Sequence, residues 1–365
     1  MRSVVRKPQC AMASRAGSAL ARTSCFALPA VPNDRNEISA STPAGRHRRT
    51  RDRTVAVRII DQCCLSVRVL GFERVCYDAP SFPPAIHSLS IDLHTHSTYS
   101  DGVLSPAELV QRAVSRGVNL LALTDHDDTG GVAEAQDAAS ELDILVVPGV
   151  EISAMWNGQT IHIVGLDIDV RAPELAGGLT SIRHSRGERA IRIAAQLDAA
   201  GVTGSLQGAT RLAGSSAAVG RSHFARFLVE QKYVRNSDDA FRRYLGTGRA
   251  GYVPPSWPDV AKAVAWIHGA GGQTVLAHPD RYRLSPRVLQ LLFTDFRQSG
   301  GDAVEISGDG RYKSSAQIRL ARRFGFALSS GSDFHAPGKN VADLGDVTEI
   351  PTGMPAVWQR LRTRK

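Results

Sequence analysis

The stretch Ile91-Asp-Leu-His-Thr-His-Ser-Thr-Tyr-Ser-Asp-Gly102 decides how the rest of the chain is read. Its start predicts a strand over Ile91 to His96, and side chains two apart on a strand project from the same face. His94 and His96 can therefore grip one metal ion together, with Asp101 in the loop that follows. Next, Ser105 caps a helix with Pro106 at its first position, Glu108 completes a Ser-x-x-Glu box and Gly117 closes it. Leu120 to Thr124 is a second strand-like run, Val132 to Leu142 is helix-like, and Ile144 to Val150 is a third strand. Such alternation implies parallel strands joined by helical crossovers, hence a doubly wound sheet or a barrel.

Residues of about 178–254 break the rhythm. Arg183, Arg186, Arg189 and Arg192 recur at helical spacing with Ile182, Ile191 and Leu197; Gly- and Ser-rich turns and an aromatic helical stretch, Phe224 to Tyr244, follow. This predicts a small inserted helical domain. Alternation resumes with helices at Ala261 to Ala270, Val288 to Gln298 and Ala316 to Phe324, and strands at Thr274 to Ala277, Ala303 to Ile306 and Ala327 to Ser330. One α/β domain (89–177 and 255–350), interrupted by 178–254 and ending in a tail over 351–365, is the expected organisation.

The chain has 365 residues, 42% of them hydrophobic, enough for a buried core in about two domains. No run approaches the ~20 apolar residues of a membrane helix, so a helix-spanning protein is excluded. A net charge of +9 would suggest an anionic partner, but residues 1–88 hold 14 of the 44 basic and 6 of the 35 acidic residues, leaving 30 and 29 for 89–365. The body is almost neutral, which argues against a long nucleic-acid partner. Cys10, Cys25, Cys63, Cys64 and Cys76 all lie before residue 89, so no disulfide framework holds the body, and a reducing, cytoplasmic setting fits it.

The leader, residues 1–88, clusters Arg48, Arg49, Arg51 and Arg53, lacks apolar periodicity and is expected to be disordered. A basic nucleic-acid-binding arm, an organelle transit peptide, and upstream sequence translated ahead of the true start compete to explain it; the last is preferred. Cys10 to Ala21 is too polar for a secretory signal, so export is not expected.

Ligand-type residues recur at one structural location. Asp101 follows the first strand, His126 ends the second, Glu151 ends the third, and His162 lies in the run Gln159 to Leu166. His278 ends Thr274 to Ala277, and Asp333 and His335 follow the last strand. With His94 and His96 this places nine candidate ligands at carboxyl ends of strands, where parallel α/β folds build their sites. His47 and His87 in the leader and His268 on a helix have no such placement, and His184 is unassigned. Imidazole with carboxylate suits manganese, zinc or iron, whereas calcium takes oxygen alone. The set exceeds what one ion uses, so two to three divalent ions are expected, with Glu151 bridging, and their excess positive charge favours a phosphate ester.

Ile91-Asp-Leu-His-Thr-His-Ser, Tyr99-Ser-Asp-Gly, Leu123-Thr-Asp-His-Asp, Pro148-Gly-Val-Glu151, Ile161-His-Ile-Val-Gly, Leu276-Ala-His-Pro and Gly331-Ser-Asp-Phe-His resemble, in order, the motifs of the PHP (polymerase and histidinol phosphatase) superfamily. The resemblance runs from about Ser90 to Gly338 and implies a distorted (β/α)7 barrel with a trinuclear metal centre, manganese foremost. Carried over, His94, His96, Glu151 and Asp333 would hold one ion, Glu151, His162 and His278 a second, and Asp101, His126 and His335 a third. Gly220-Arg-Ser-His-Phe-Ala-Arg and Ala270-Gly-Gly-Gln-Thr-Val-Leu-Ala-His-Pro look like the branch of 3′,5′-nucleoside bisphosphate phosphatases and 5′-to-3′ exoribonucleases. That implies removal of the 3′-phosphate from a nucleotide such as adenosine 3′,5′-bisphosphate. Where that branch has a Ser-Gly-His-like segment, this chain has Ser307-Gly-Asp-Gly-Arg-Tyr, and the leader has no counterpart.

The expected mechanism needs no side-chain nucleophile, because water acidified by the metal ions attacks phosphorus. Arg221 with His223 is the candidate clamp for a second phosphate, since arginine binds phosphate through paired hydrogen bonds. A nucleotide or short oligonucleotide is the expected partner. Competing readings are a 5′-3′ exonuclease on short RNA, a histidinol-phosphatase-like phosphomonoesterase, an amidohydrolase, and a non-catalytic metal-binding module. The motifs contain no lysine for an amidohydrolase centre, and every ligand position is occupied, which opposes decay.

Overall fold

The computed structural model describes residues 90–214, 219–307, 315–338 and 342–362. The expectations for the leader, and for the segment after Ser307, lie outside these residues. β1 (Ile91–Thr95) leads to α1 (Pro106–Ser115), whose Ser105–Glu108 capping box forms as predicted. β2 (Leu120–Leu123), α2 (Val132–Ala139), β3 (Leu145–Trp156) and β4 (Gln159–Leu166) follow. Next come α3 (Pro173–Ala199), α4 (Ser205–Ala213), α5 (Arg221–Glu230) and α6 (Ser237–Ala240), which runs into a π-helical turn at Phe241–Leu245. α7 (Val260–Gly269), β5 (Gln273–Leu276), α8 (Pro286–Gln298), β6 (Ala303–Ser307), α9 (Ser315–Phe324) and β7 (Ala327–Gly331) complete the order.

All seven strands pair in sequence order. After β7 the chain returns onto β1, where the Asp333 N–H donates to the His94 carbonyl and the His96 N–H to the Phe334 carbonyl, both at 2.9 Å. The result is a nearly closed α/β barrel. A cluster drawing on every strand, from Leu93 and Ala122 to Ala303 and Ala327, fills it together with Val357. α1 and α2 cover one flank, and α3, α7, α8 and α9 the other. Each Leu, Ile or Phe fully buried there contributes about 1.5–3 kcal/mol.

Three features differ from the sequence reading. β3 continues past Val150 to Trp156 and turns back through Asn157 (φ 46°) and Gly158 (φ 74°), so β4 runs antiparallel to both β3 and β5. Asn-Gly between apolar runs is a hairpin signal that favours positive φ at both positions, and reading only the strand–helix rhythm passes over it. The stretch Phe224 to Tyr244 is broken after Glu230, where Lys232 takes φ 59° and Asn236 caps a new helix. Finally, α3 crosses the boundary expected at 178, because it serves two cores. Leu175, Leu179 and Ile182 pack on the barrel, while Ala190, Ile193 and Leu197 join Phe224, Phe227 and Leu245 in a separate helical core.

β7 needs Gly331 where it meets β1. A Cβ there would lie 2.3 Å from the His94 Cβ and 2.8 Å from its backbone nitrogen. Gly331→Ala is expected to lower stability by about 1–3 kcal/mol through overpacking and to displace His94. A melting curve of the variant, with its metal content, measures both.

Candidate metal centre

Between Asp92 and Thr95 the β1–β2 register slips, and bulges of this kind re-aim side chains. Just there, His94 and His96 stand with ring centroids 5.2 Å apart. Glu151 lies inside β3 rather than at its end, and His162 lies inside β4, because the hairpin carries both strands past the site. Glu151 pairs with Val164 and His162 sits two residues away, so the two share one face as diagonal neighbours. His126 follows β2, His278 follows β5, and Asp333 and His335 follow β7.

Glu151, fully buried, is the hub. Its Oε2 is 2.8 Å from His126 Nδ1 and 3.3 Å from both His94 Nε2 and His96 Nε2. Its Oε1 is 2.9 Å from His162 Nδ1 and 3.1 Å from His278 Nε2. One carboxylate thus faces five imidazoles from four segments. The remaining acids close the ring: Asp333 Oδ1 lies 3.0 Å from His96 Nε2 and 3.4 Å from His94 Nε2, and Asp101 Oδ1 lies 3.1 Å from His335 Nε2.

Eight of the nine candidate residues fall in three groups whose donor atoms lie within 4.8 Å of one another, and the ninth, His278, lies against Glu151. The first, His94, His96, Glu151 and Asp333, is the set that the resemblance implies. The second holds His126 with Glu151 and His162, and the third adds His96 to Asp101, His126 and His335. His126 belongs to two groups because Nδ1 faces Glu151 while Nε2 stands 3.9 Å from Asp101. His278 remains at Glu151 but falls outside the second group.

These donors fit divalent cations. His94 Nε2, Asp101 Oδ1, His126 Nδ1, Glu151 Oε2 and His162 Nδ1 are buried and make no hydrogen bond, an expensive state for polar atoms without a ligand. Burial alone would raise Glu151, but His126, His162 and His94 hold its carboxyl well below the usual range. Asp101 and Asp333 are likewise held low against burial, chiefly by His335 and by His94 respectively. Burial, then His335, pushes His96 down to about 3, leaving its imidazole neutral. Against burial, Glu305 and Glu151 raise His94 and Asp101 raises His335 to about 10, so an ion taken up among these carboxylates would displace imidazole protons. His278 (φ 27°) and Asp333 (φ 52°) adopt strained backbone, which concentrates at functional sites.

Residues 92–245 match the model of the PHP domain. The chain is 45% identical over 277 residues to the 3′,5′-nucleoside bisphosphate phosphatase of Chromobacterium violaceum, covering 75% of this chain and 97% of that one. It belongs to the PHP family. It is also 43% identical over 277 residues to the 5′-3′ exoribonuclease Rnm of Escherichia coli, covering 75% of this chain and 94% of that protein. A solved Chromobacterium violaceum structure, described as an amidohydrolase with bound sulfate and no metal, superimposes with a TM-score of 0.69 at 44% identity, over 74% of this chain and 95% of that one. The protein is a PHP hydrolase acting on phosphate esters.

In this PHP chain the proposed clamp residues lie on the first turn of α5. His223 is buried, and its Nδ1 accepts the Gly220 N–H at 3.0 Å. Burial lowers it to about 4, so the ring is neutral with its proton on Nε2. Arg221 stands over the Phe241 ring at 5.5 Å and pairs with no carboxylate among the described residues.

Several contributors escaped the sequence reading. Glu305 Oε2 lies 2.8 Å from His94 Nδ1 and accepts the backbone N–H of His278 at 3.2 Å, holding the His94 ring and the His278 backbone. Its signal was an acid within an apolar strand. Tyr282 accepts the His162 N–H at 2.9 Å and donates to the Ala277 carbonyl, and Arg281 pairs with Asp333. Asp127, next to His126, accepts from Ser153 and Arg186. Because carboxylates behind metal-ligating histidines set ring orientation and basicity, Glu305→Gln is expected to weaken metal binding about 10–100-fold. Titration of metal-depleted protein with manganese checks this.

Proposed function

We propose that the chain removes the 3′-phosphate from nucleoside 3′,5′-bisphosphates such as adenosine 3′,5′-bisphosphate, with two to three divalent ions, manganese foremost, in the cytoplasm. The observation that carries this reading is Glu151, one buried carboxylate set between imidazoles of three donor groups. Ions held there supply charge neutralisation on the phosphoryl oxygens and an acidified water. The protein's part is to present His94, His96, His126, His162, His278 and His335 as imidazole donors beside the anions Glu151, Asp101 and Asp333. Ser100 Oγ lies 3.3 Å from His96 Nδ1 but donates to Asp125 at 2.6 Å, so water rather than a side chain is the nucleophile in this reading. Arg221 and His223 face the remainder of the substrate and hold its second phosphate.

The Escherichia coli relative, at 43% identity, supports a second reading, 5′-3′ cleavage of short RNA. Release of inorganic phosphate from a panel of bisphosphates, 3′-mononucleotides and 5′-phosphorylated oligonucleotides separates the two. The phosphatase reading expects the bisphosphate to have the highest kcat/KM. Removing metal by a chelator should abolish turnover, and manganese should restore it. Activity that survives thorough metal removal would sink the mechanism.

A further inference from the structure

β4 and β5 pair antiparallel, and continuing the register of Ile163 with Leu276 places His162 opposite Ala277. A hydrogen-bonded antiparallel pair exchanges both of its N–H···O bonds. Here the Ala277 N–H donates directly to the His162 carbonyl at 3.1 Å. The reciprocal bond is interrupted by a side chain. The His162 N–H donates at 2.9 Å to the Tyr282 hydroxyl, which itself donates at 3.0 Å to the Ala277 carbonyl. One phenol oxygen thus takes the place of a ladder bond and keeps the two strands apart on that side.

The interruption falls between two candidate ligands, His162 on β4 and His278 directly after Ala277. Both rings turn to the same oxygen of Glu151, with Oε1 at 2.9 Å from His162 Nδ1 and 3.1 Å from His278 Nε2. Their centroids are 5.3 Å apart and their planes are inclined at 80°. Tyr282 reaches the gap through the 3-10 turn Pro279–Tyr282, which follows His278 at once, and its ring stands edge-on to the His278 ring at 5.5 Å. The hydroxyl therefore holds the backbone of one ligand while the ring packs against the other. Without the hydroxyl, the His162 amide and the Ala277 carbonyl either close on each other as an ordinary ladder bond or lose their partner, an expensive state for backbone groups. Either outcome moves His162 relative to His278.

We infer that Tyr282 is a positioning residue of the metal centre: its hydroxyl, wedged between β4 and β5, sets the spacing of His162 and His278 about Glu151 Oε1 and so tunes the affinity of that donor set for a divalent ion. The hydroxyl bonds main-chain atoms alone, so it acts through the ligands. Groups behind metal ligands fix their orientation and are worth about 10–100-fold in metal affinity. The inference rests on the metal-centre reading above and is indifferent to which phosphate ester is cleaved.

Calorimetric titration of the metal-depleted full chain with manganese tests this on the parent protein, Tyr282→Phe and Trp156→Phe. Tyr282→Phe keeps the ring against His278 and removes only the wedge. Trp156→Phe removes a hydrogen bond to Asp295 at the last residue of β3 and touches no candidate ligand. Tyr282→Phe is expected to weaken one manganese-binding step about tenfold or more and to leave the others, while Trp156→Phe keeps every step. Should Tyr282→Phe melt once metal is withdrawn, elemental analysis of the variant purified in manganese decides, with one ion fewer per chain than the parent as the expected count. Tyr282→Phe binding manganese like the parent, by titration or by count, would overturn the inference. So would equal weakening of every step, or the same loss in Trp156→Phe, since the tyrosine would then only brace the fold. A parent protein that takes up no manganese would sink the metal-centre reading and this inference together. Binding is read without turnover, so failure to release phosphate from a 3′,5′-bisphosphate would count against the phosphatase reading alone.

Discussion

Glu151→Gln is expected to cost at least one bound ion per chain and at least about a thousandfold in kcat/KM. The substitution keeps shape and removes the charge that five imidazole nitrogens face. An amide also presents N–H donors to nitrogens that must themselves donate electron pairs to metal. Metal ions supply several kcal/mol of transition-state stabilisation, and each 1.4 kcal/mol is about tenfold in rate. Asp101→Asn should cost less, since Asp101 belongs to only one donor group. Elemental analysis with steady-state kinetics on both variants checks the ranking. An active preparation holding one ion or none would contradict the bridging role, and so would Asp101→Asn losing more metal than Glu151→Gln.

How much of this centre was legible depended on the range of the interaction. Local signals carried well: the Ser105–Glu108 box, the His94–His96 spacing and the apolar runs around them are each set within a few residues. The nine candidate positions were legible as a group because most of them end or follow strands, the edge where an α/β barrel gathers its loops, although Glu151 and His162 lie within β3 and β4. Glu305 was not, since its contact with His94 spans 211 residues and an acid in an apolar strand does not name its partner. Nor were the exact donor groups, because whether His126 or His278 completes the second depends on which ring nitrogen turns inward. The arginines of α3 were legible as a helical series, but not their division of labour. Arg183 and Arg186 bond Asp127, while Arg189 turns to the Val253 carbonyl, a choice made by tertiary packing.

The preference for a bisphosphate over a monophosphate should rest on Arg221, and replacing it with Ala measures how much. A centre that hydrolyses phosphomonoesters discriminates among them through groups that hold the rest of the substrate. Binding energy at a remote phosphate can position the reacting one, so its loss should appear in kcat as well as in KM. We expect adenosine 3′,5′-bisphosphate to be cleaved far faster than 3′-AMP, and Arg221→Ala to shrink the ratio of their kcat/KM values by about 1.5–3 kcal/mol, the range for hydrogen bonds to charged groups. The truncation also removes a cation over the Phe241 ring, worth about 0.5–2 kcal/mol of local packing. That loss falls on both substrates alike, so it cancels in the ratio and shows in the melting temperature instead. Equal slowing of both substrates would mean that Arg221 only braces α5 against the π-helical turn. A reduced ratio with an unchanged kcat on the bisphosphate would mean that the arginine binds the remote phosphate without aligning the reacting one.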